Sequence, residues 1–170
     1  QFLLENYIIC FLALLVGILD LAKGFSAVFW ITPALYSGEM LTLLQLQIIA
    51  TIFVVLGHMY TVFAGFKGGK GVLAAAGAFL ALMPLEVGLA MALFIVIVVL
   101  TRFVSLGSIS AALLISLILI IKKYALDFEI PSELLILSLV ITAIDLFSHR
   151  ANIGRLLSGT ENKVGKSKND

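Results

Sequence analysis

Charged residues fall in a few clusters along this chain. Residues 6–19, 24–38, 40–66, 71–85, 87–101, 103–121 and 134–144 carry none. A helix that crosses a bilayer needs about 20 predominantly apolar residues. Leu41 to Ala64 and Phe103 to Ile121 meet that need directly. Tyr7 to Trp30 meets it if Asp20 and Lys23, three residues apart on one helical face, pair inside the span. Leu134 to Ser148 is short and tolerates Asp145 near its end. As one helix, the 31 residues from Gly71 to Thr101 would run about 46 Å at 1.5 Å per residue. That exceeds a hydrocarbon core of roughly 30 Å. Pro84 and Glu86 stand at its middle, and helices tend to end just before proline. The pattern therefore predicts a hairpin of two short spans. The expected fold is an all-α, polytopic membrane bundle forming a single domain, because only helices or closed barrels satisfy backbone groups in lipid. Its spans, about six at the usual span length, are 7–30, 41–64, 72–83, 85–101, 103–121 and 132–148, with 149–170 a cytosolic C-terminal segment.

Composition supports this pattern. The chain is 62% hydrophobic and 12% charged, where soluble domains carry about a quarter charged residues. Few prolines and a lone cysteine exclude a disulfide scaffold or a disordered body. Cys10 sits in an apolar run and is expected to pack. A net charge of +1 gives no ground for a nucleic-acid partner. Hydrophobicity that recurs along the whole chain is not a single signal peptide.

The alternation of spans brings three polar junctions to one membrane face: Phe66–Gly71, Thr101–Ser108 and Ser148–Glu161. That face carries Lys67, Lys70, Arg102, Arg150, Arg155, Lys163, Lys166 and Lys168; the other carries Lys122 and Lys123. The positive-inside rule makes the crowded face cytoplasmic.

Orientation alone would explain a lone pair of lysines. It is a weaker account of "GFKGGKG" (Gly65–Gly71). Gly68, Gly69 and Gly71 allow backbone shapes closed to other residues, so N–H groups can gather in one small space. Such a nest binds anions, as does the start of the helix expected near Val72. Lys67 and Lys70 add positive charge. The spacing is not that of a Walker A loop.

The third junction reads "SHRANIGRLLSGTENK". On a helix His149, Asn152 and Leu156 share a face, Arg155 lies at its edge, and Arg150 points elsewhere. Histidine exchanges protons near neutral pH, asparagine holds a hydroxyl, and arginine forks a phosphate. A basic amphipathic stretch on anionic lipid is the plainer reading. The mixture of His, Asn, Arg and Gly favours a site. The second junction, "TRFVSLGS", adds Arg102, Ser105 and Ser108, which alone would pass as an anchor and two helix-packing serines.

"LGHMYTVFAGFKGGKG", "TRFVSLGSIS" and "SHRANIGRLLSGTENK" together resemble signature stretches of the bacterial acyl-phosphate:glycerol-3-phosphate acyltransferases of the PlsY type, and "ILDLAKGFSAV" resembles that family's second span. The likeness covers nearly all of the chain after about residue 15, in order and spacing. It implies a seven-span membrane fold. It also implies transfer of a fatty acyl chain from acyl phosphate to the 1-hydroxyl of glycerol 3-phosphate, giving lysophosphatidic acid, with no cofactor or metal. By the same resemblance Lys67, Gly68, Gly69, Lys70 and Gly71 form the phosphate-binding loop. His149 and Asn152 engage the acceptor glycerol, and Ser105 lies near the substrates. Arg155 and Glu161 match family positions as an ion pair holding the last helix, with Arg155 also counted among the phosphate-binding groups. His58 and Arg102 are supporting positions. The base is either His149 or the donor's own phosphate. An acyl phosphate is already activated, so no covalent enzyme intermediate is required.

One departure stands out. The family's first cytosolic loop, Ser-Gly-Asn-x-Gly-Ala-Thr-Asn followed by an arginine, is absent. Either the chain is a fragment starting near the second span, or part of a first span (Asn6–Gly17) joins directly to the second. The apolar residues before Gly17 favour the latter. Without a charge-assisted hydrogen bond to phosphate, binding is weaker by about 1.5–3 kcal/mol. A chain that binds lipid and phosphate without turnover is therefore the second reading. A transporter would line a path near the midplane with its charges, but only Asp20 and Lys23 lie well inside a span.

Overall fold

The computed structural model describes residues 2–165. The side chain of Cys10, with Lys166 and Lys168, lies outside the described residues. Described elements are α1 (Phe2–Ser26), a π-helical turn (Ala27–Ile31), α2 (Thr32–Leu35), α3 (Leu43–Met59) and a 3-10 turn (Val62–Ala64). They continue with α4 (Val72–Leu82), α5 (Pro84–Thr101), α6 (Val104–Tyr124), α7 (Ser132–Ser148) and α8 (Arg150–Leu157). The chain divides into two compact units, Gln1–Leu82 and Met83–Asp170.

In the first unit α1 lies directly on α4. A Cβ at Gly24 would strike the carbonyl of Ala74, and one at Gly77 would strike the carbonyl of Leu21. Membrane helices approach this closely only through small residues, since lipid supplies no hydrophobic drive between them. Ala74, Ala75, Ala78 and Val28 are buried along the seam. Helical structure runs past the expected end at Trp30 to Leu35. The Thr32 N–H reaches back five residues to Ala27, and the Thr32 hydroxyl donates to the same carbonyl at 2.6 Å. Pro33 lacks an N–H, so a widened turn just before it keeps the helix going. The expected pair within the span is formed, with Lys23 Nζ 2.6 Å from Asp20 Oδ1.

α3 opens with a capping box between Thr42 and Gln45. It stops at Met59, short of the expected Ala64, because Tyr60 leaves helical geometry (φ −118°, ψ 50°). The chain must turn there to bring Gly68 back to Met59, whose carbonyl accepts the Gly68 N–H at 3.0 Å.

In the second unit Pro84 occupies the first turn of α5 after a break at Met83 (φ −148°), as the proline predicted. Arg102, in the left-handed region at φ 65°, ends α5, and α6 starts two residues later. A turn this short makes α5 and α6 antiparallel neighbours. Gly107 of α6 fits against Phe94 and Val98 of α5. Their far ends are tied by Lys122 and Glu86, 2.7 Å apart. α6 and α7 meet through buried hydroxyls: Ser116 lies 2.9 Å from Thr142 Oγ1, and Thr142 donates to the Ala112 carbonyl at 3.0 Å. Such contacts join helices where water cannot compete.

Among the described residues, Phe11–Leu35, Pro84–Thr101 and Val104–Tyr124 are long and apolar enough to cross a membrane. α7 and α8 qualify only together, bent by 61°, and α3 and α4 are shorter apolar helices. This pattern is compatible with the expected all-α polytopic bundle.

Candidate active site

Two polar clusters emerge at helix ends, one in each unit. The first is the glycine loop. Its left-handed residues are Gly65 (φ 61°), Phe66 (φ 61°) and Gly71 (φ 84°), so Gly68 and Gly69 are not the positions that need conformational freedom. They are glycines because of close approach. A Cβ at Gly68 would collide with the His58 carbonyl, and a Cβ at Gly69 with the His58 imidazole. The Gly68 N–H is spent on Met59, so it does not join the expected nest. Lys67, Gly68, Gly69 and Lys70 are exposed, and Gly71 is buried at the start of α4.

His58, at the end of α3, is fixed from below. Its Nδ1 lies 2.5 Å from Lys23 Nζ and 3.3 Å from Asp20 Oδ1. Lys23, Val54, Gly57, His58, Thr61, Gly68 and Gly69 line a cleft of ≈ 350 Å³. Lys23 thus stands in the same cleft as the glycine loop. By its sequence spacing Lys23 reads only as half of a pair within a span, outside the site. No local spacing reveals a contact across 35 residues.

The second cluster is built on Glu161. Its Oε1 accepts from Ser105 at 2.8 Å and from Asn152 at 2.7 Å. Its Oε2 accepts from Arg155 Nε at 2.7 Å. The local chain explains the meeting. α8 ends as Gly159 turns left-handed (φ 72°) and the Thr160 N–H returns to the Arg155 carbonyl at 2.8 Å. Glu161 is thereby laid back along α8. The Val164 N–H then donates to the Arg102 carbonyl at 2.9 Å, and Lys163 sits over the Phe103 ring. The Glu161 side chain is 6% exposed. Burial pushes its carboxyl up, but hydrogen bonds from Asn152, Ser105 and Arg155, with the Arg155 charge, outweigh that and hold it below the ordinary value.

The expected Arg155–Glu161 ion pair is present. Asn152, expected at the acceptor glycerol, gives its amide to Glu161 in this structure. His149 sits at the bend between α7 and α8 and is 2% exposed. Arg150 does point elsewhere, onto the Phe147 carbonyl and ring. Arg102 joins the second cluster through its backbone. The structure therefore groups Ser105, Asn152, Arg155 and Glu161 in one unit, and His58, Gly68 and Gly69 in the other.

Long apolar helices with polar clusters at their ends define a polytopic helical membrane protein. The family described as glycerol-3-phosphate acyltransferase matches residues 8–159. The glycerol-3-phosphate acyltransferase of Chlorobaculum parvum is 38% identical, over 89% of this chain and 74% of that one. That of Syntrophomonas wolfei is 41% identical, over 89% and 71%. Among solved structures, PlsY, an integral membrane glycerol 3-phosphate acyltransferase, is similar in its glycerol 3-phosphate form. The TM-score is 0.76 and the identity 35%, over 89% of this chain and 70% of that one. The chain belongs to the glycerol-3-phosphate acyltransferase family, and so to the integral membrane acyltransferases.

Proposed function

We propose that this chain transfers a fatty acyl group from an acyl phosphate to the 1-hydroxyl of glycerol 3-phosphate, giving lysophosphatidic acid and phosphate for phospholipid synthesis. The acceptor oxygen attacks the acyl carbonyl carbon and the bond from that carbon to the phosphate oxygen breaks. The hydroxyl proton ends on the departing phosphate, passed through His149 or taken directly by the donor's own phosphate oxygens, so charge and atoms balance. Lys67, Gly68, Gly69, Lys70 and Gly71 hold a phosphate; Asn152 and His149 hold the acceptor glycerol. Ser105 and Arg155 complete the polar surroundings, with His58, Arg102 and Glu161 in support. Such a reaction needs a donor tail in lipid and both phosphates at the water boundary. Basic residues concentrated at the junctions of Lys67, Lys70, Arg102, Arg150 and Arg155 favour the cytoplasmic side of a bacterial plasma membrane.

The observation that carries this reading is the buried carboxylate of Glu161. It is held by Ser105, Asn152 and Arg155, which fixes hydroxyl, amide and guanidinium donors in one place. Purified protein in detergent, given acyl phosphate and glycerol 3-phosphate, should release lysophosphatidic acid and phosphate in equal amounts. Tight binding of both substrates without product would replace this reading with that of a lipid- and phosphate-binding protein.

A further inference from the structure

Asp20 and Lys23 of α1 meet His58 of α3 inside the first unit. Ionisable groups within apolar helices are costly, and an apolar set would pack at less expense. Packing consumes only part of this cluster. An ammonium has three hydrogens to donate. Lys23 gives one to Asp20 and one to His58 Nδ1, and the third meets no acceptor among the described residues. The Lys23 side chain is 39% exposed and lines the cleft beside the glycine loop.

The same contact sets the imidazole. An ammonium only donates, so His58 Nδ1 accepts from Lys23 at 2.5 Å and the ring hydrogen stays on Nε2. The Asp20 carboxylate would favour the other tautomer, but at 3.3 Å it is the more distant neighbour of that nitrogen. Nε2 is the atom that a Cβ at Gly69 would strike, so its N–H stands at the Gly69 wall of the cleft. Thr61, whose side chain makes no capping hydrogen bond, lines the cleft too, and none of the lining residues is acidic. The Gly68 N–H is spent on Met59, so side chains rather than that amide supply the donors here. A volume of ≈ 350 Å³ lies at the small end of ligand pockets and suits a phosphate with its first carbons.

We propose that Lys23 and His58 bind the phosphate of a substrate in this cleft, through the ammonium and the Nε2–H. Asp20 is a positioning residue that fixes the ammonium. This rests on the acyl transfer proposed above and adds two side chains to the phosphate site assigned there to residues 67–71.

The test is Lys23→Gln in the purified full chain. KM is measured separately for acyl phosphate and glycerol 3-phosphate, with inorganic phosphate as inhibitor. We expect one KM to rise at least about tenfold and the other by less than about threefold. The inhibition constant of phosphate should rise in step with the first. The KM that rises names the substrate whose phosphate occupies the cleft. Unchanged KM values and unchanged inhibition overturn the inference and leave the proposed reaction standing. A fall in kcat alone, with both KM values kept, assigns Lys23 to holding helices together and also overturns it. Gly57, where a Cβ would meet nothing within 4 Å, gives a second variant that leaves the cluster intact. Gly57→Val puts a branched side chain into the cleft and should raise the same KM without lowering the unfolding midpoint. Should Lys23→Gln not fold, Gly57→Val decides, and unchanged KM values overturn the inference. If the wild-type protein makes no product, the proposed reaction falls, and calorimetric titration with inorganic phosphate still tests the cleft. Binding by wild type that is lost in Lys23→Gln supports the inference; no binding, or equal binding in both, overturns it.

Discussion

Ser105, in the first turn of α6, donates its hydroxyl to Glu161 at 2.8 Å across 56 residues of chain. With Asn152 and Arg155 on the same carboxylate, this hydrogen bond ties the C-terminal segment to the end of the α5–α6 pair.

Replacing Glu161 by Ala leaves those donors without their acceptor. The stranded Ser105 hydroxyl, which is buried, costs about 1–3 kcal/mol. Thermal unfolding in detergent should show a lower midpoint, and kcat/KM should fall because Asn152 and Arg155 lose their fixed directions. Glu161→Gln keeps one acceptor oxygen and should fall between Ala and wild type. An unchanged midpoint in Glu161→Ala would contradict the role of this carboxylate.

The same group sets an acid limit. Its folded-state pKa lies below the ordinary 4.5. Its contribution to stability is therefore fully present above that value and is lost as pH falls through the lowered folded pKa. Hydrogen exchange at the amides of Thr160 and Val164 should stay slow from neutral pH down to about 5 and quicken in stronger acid. Loosening that begins above 4.5 would mean that burial outweighs the hydrogen bonds.

The glycine loop predicts a graded series. Gly68→Ala drives a methyl into the His58 backbone carbonyl, which cannot move alone, whereas Gly69→Ala meets the His58 ring, which can rotate. kcat/KM should fall at least about tenfold in Gly68→Ala, a barrier change of roughly 1.4 kcal/mol, and less in Gly69→Ala. The reverse order would show that conformational freedom, not close approach, sets these positions.

Glu86 and Lys122 offer a control far from the proposed chemistry within the second unit. The Glu86 side chain is 7% exposed and lies 2.7 Å from the Lys122 ammonium. Removing one partner of a fully buried pair costs about 3–5 kcal/mol; with Lys122 half-buried, the cost here is smaller. Glu86→Ala should lower the unfolding midpoint while kcat at a permissive temperature stays within about twofold of wild type, since the residue touches no reacting group. A large loss of kcat with an unchanged midpoint would contradict this purely structural role.

Much of the helical framework is readable from charge spacing. Pro84 marks the break before α5, and the Asp20–Lys23 pair follows from a three-residue spacing. The Arg155–Glu161 ion pair lies within one short segment. What escapes the sequence is long-range. Lys23 meets His58 and Ser105 meets Glu161 through tertiary packing that no periodicity encodes. The end of α3 is misjudged for a related reason. Tyr60 to Ala64 is apolar enough to continue the helix, but the return of Gly68 to Met59 forces the chain out of it.

Acyl transfer by purified Lys70→Ala and His149→Ala proteins, measured beside wild type with acyl phosphate and glycerol 3-phosphate, tests the central claim most directly. The account predicts at least about a tenfold loss of kcat/KM in each, with KM rising in Lys70→Ala and kcat falling in His149→Ala. Wild-type kinetics in both would contradict it.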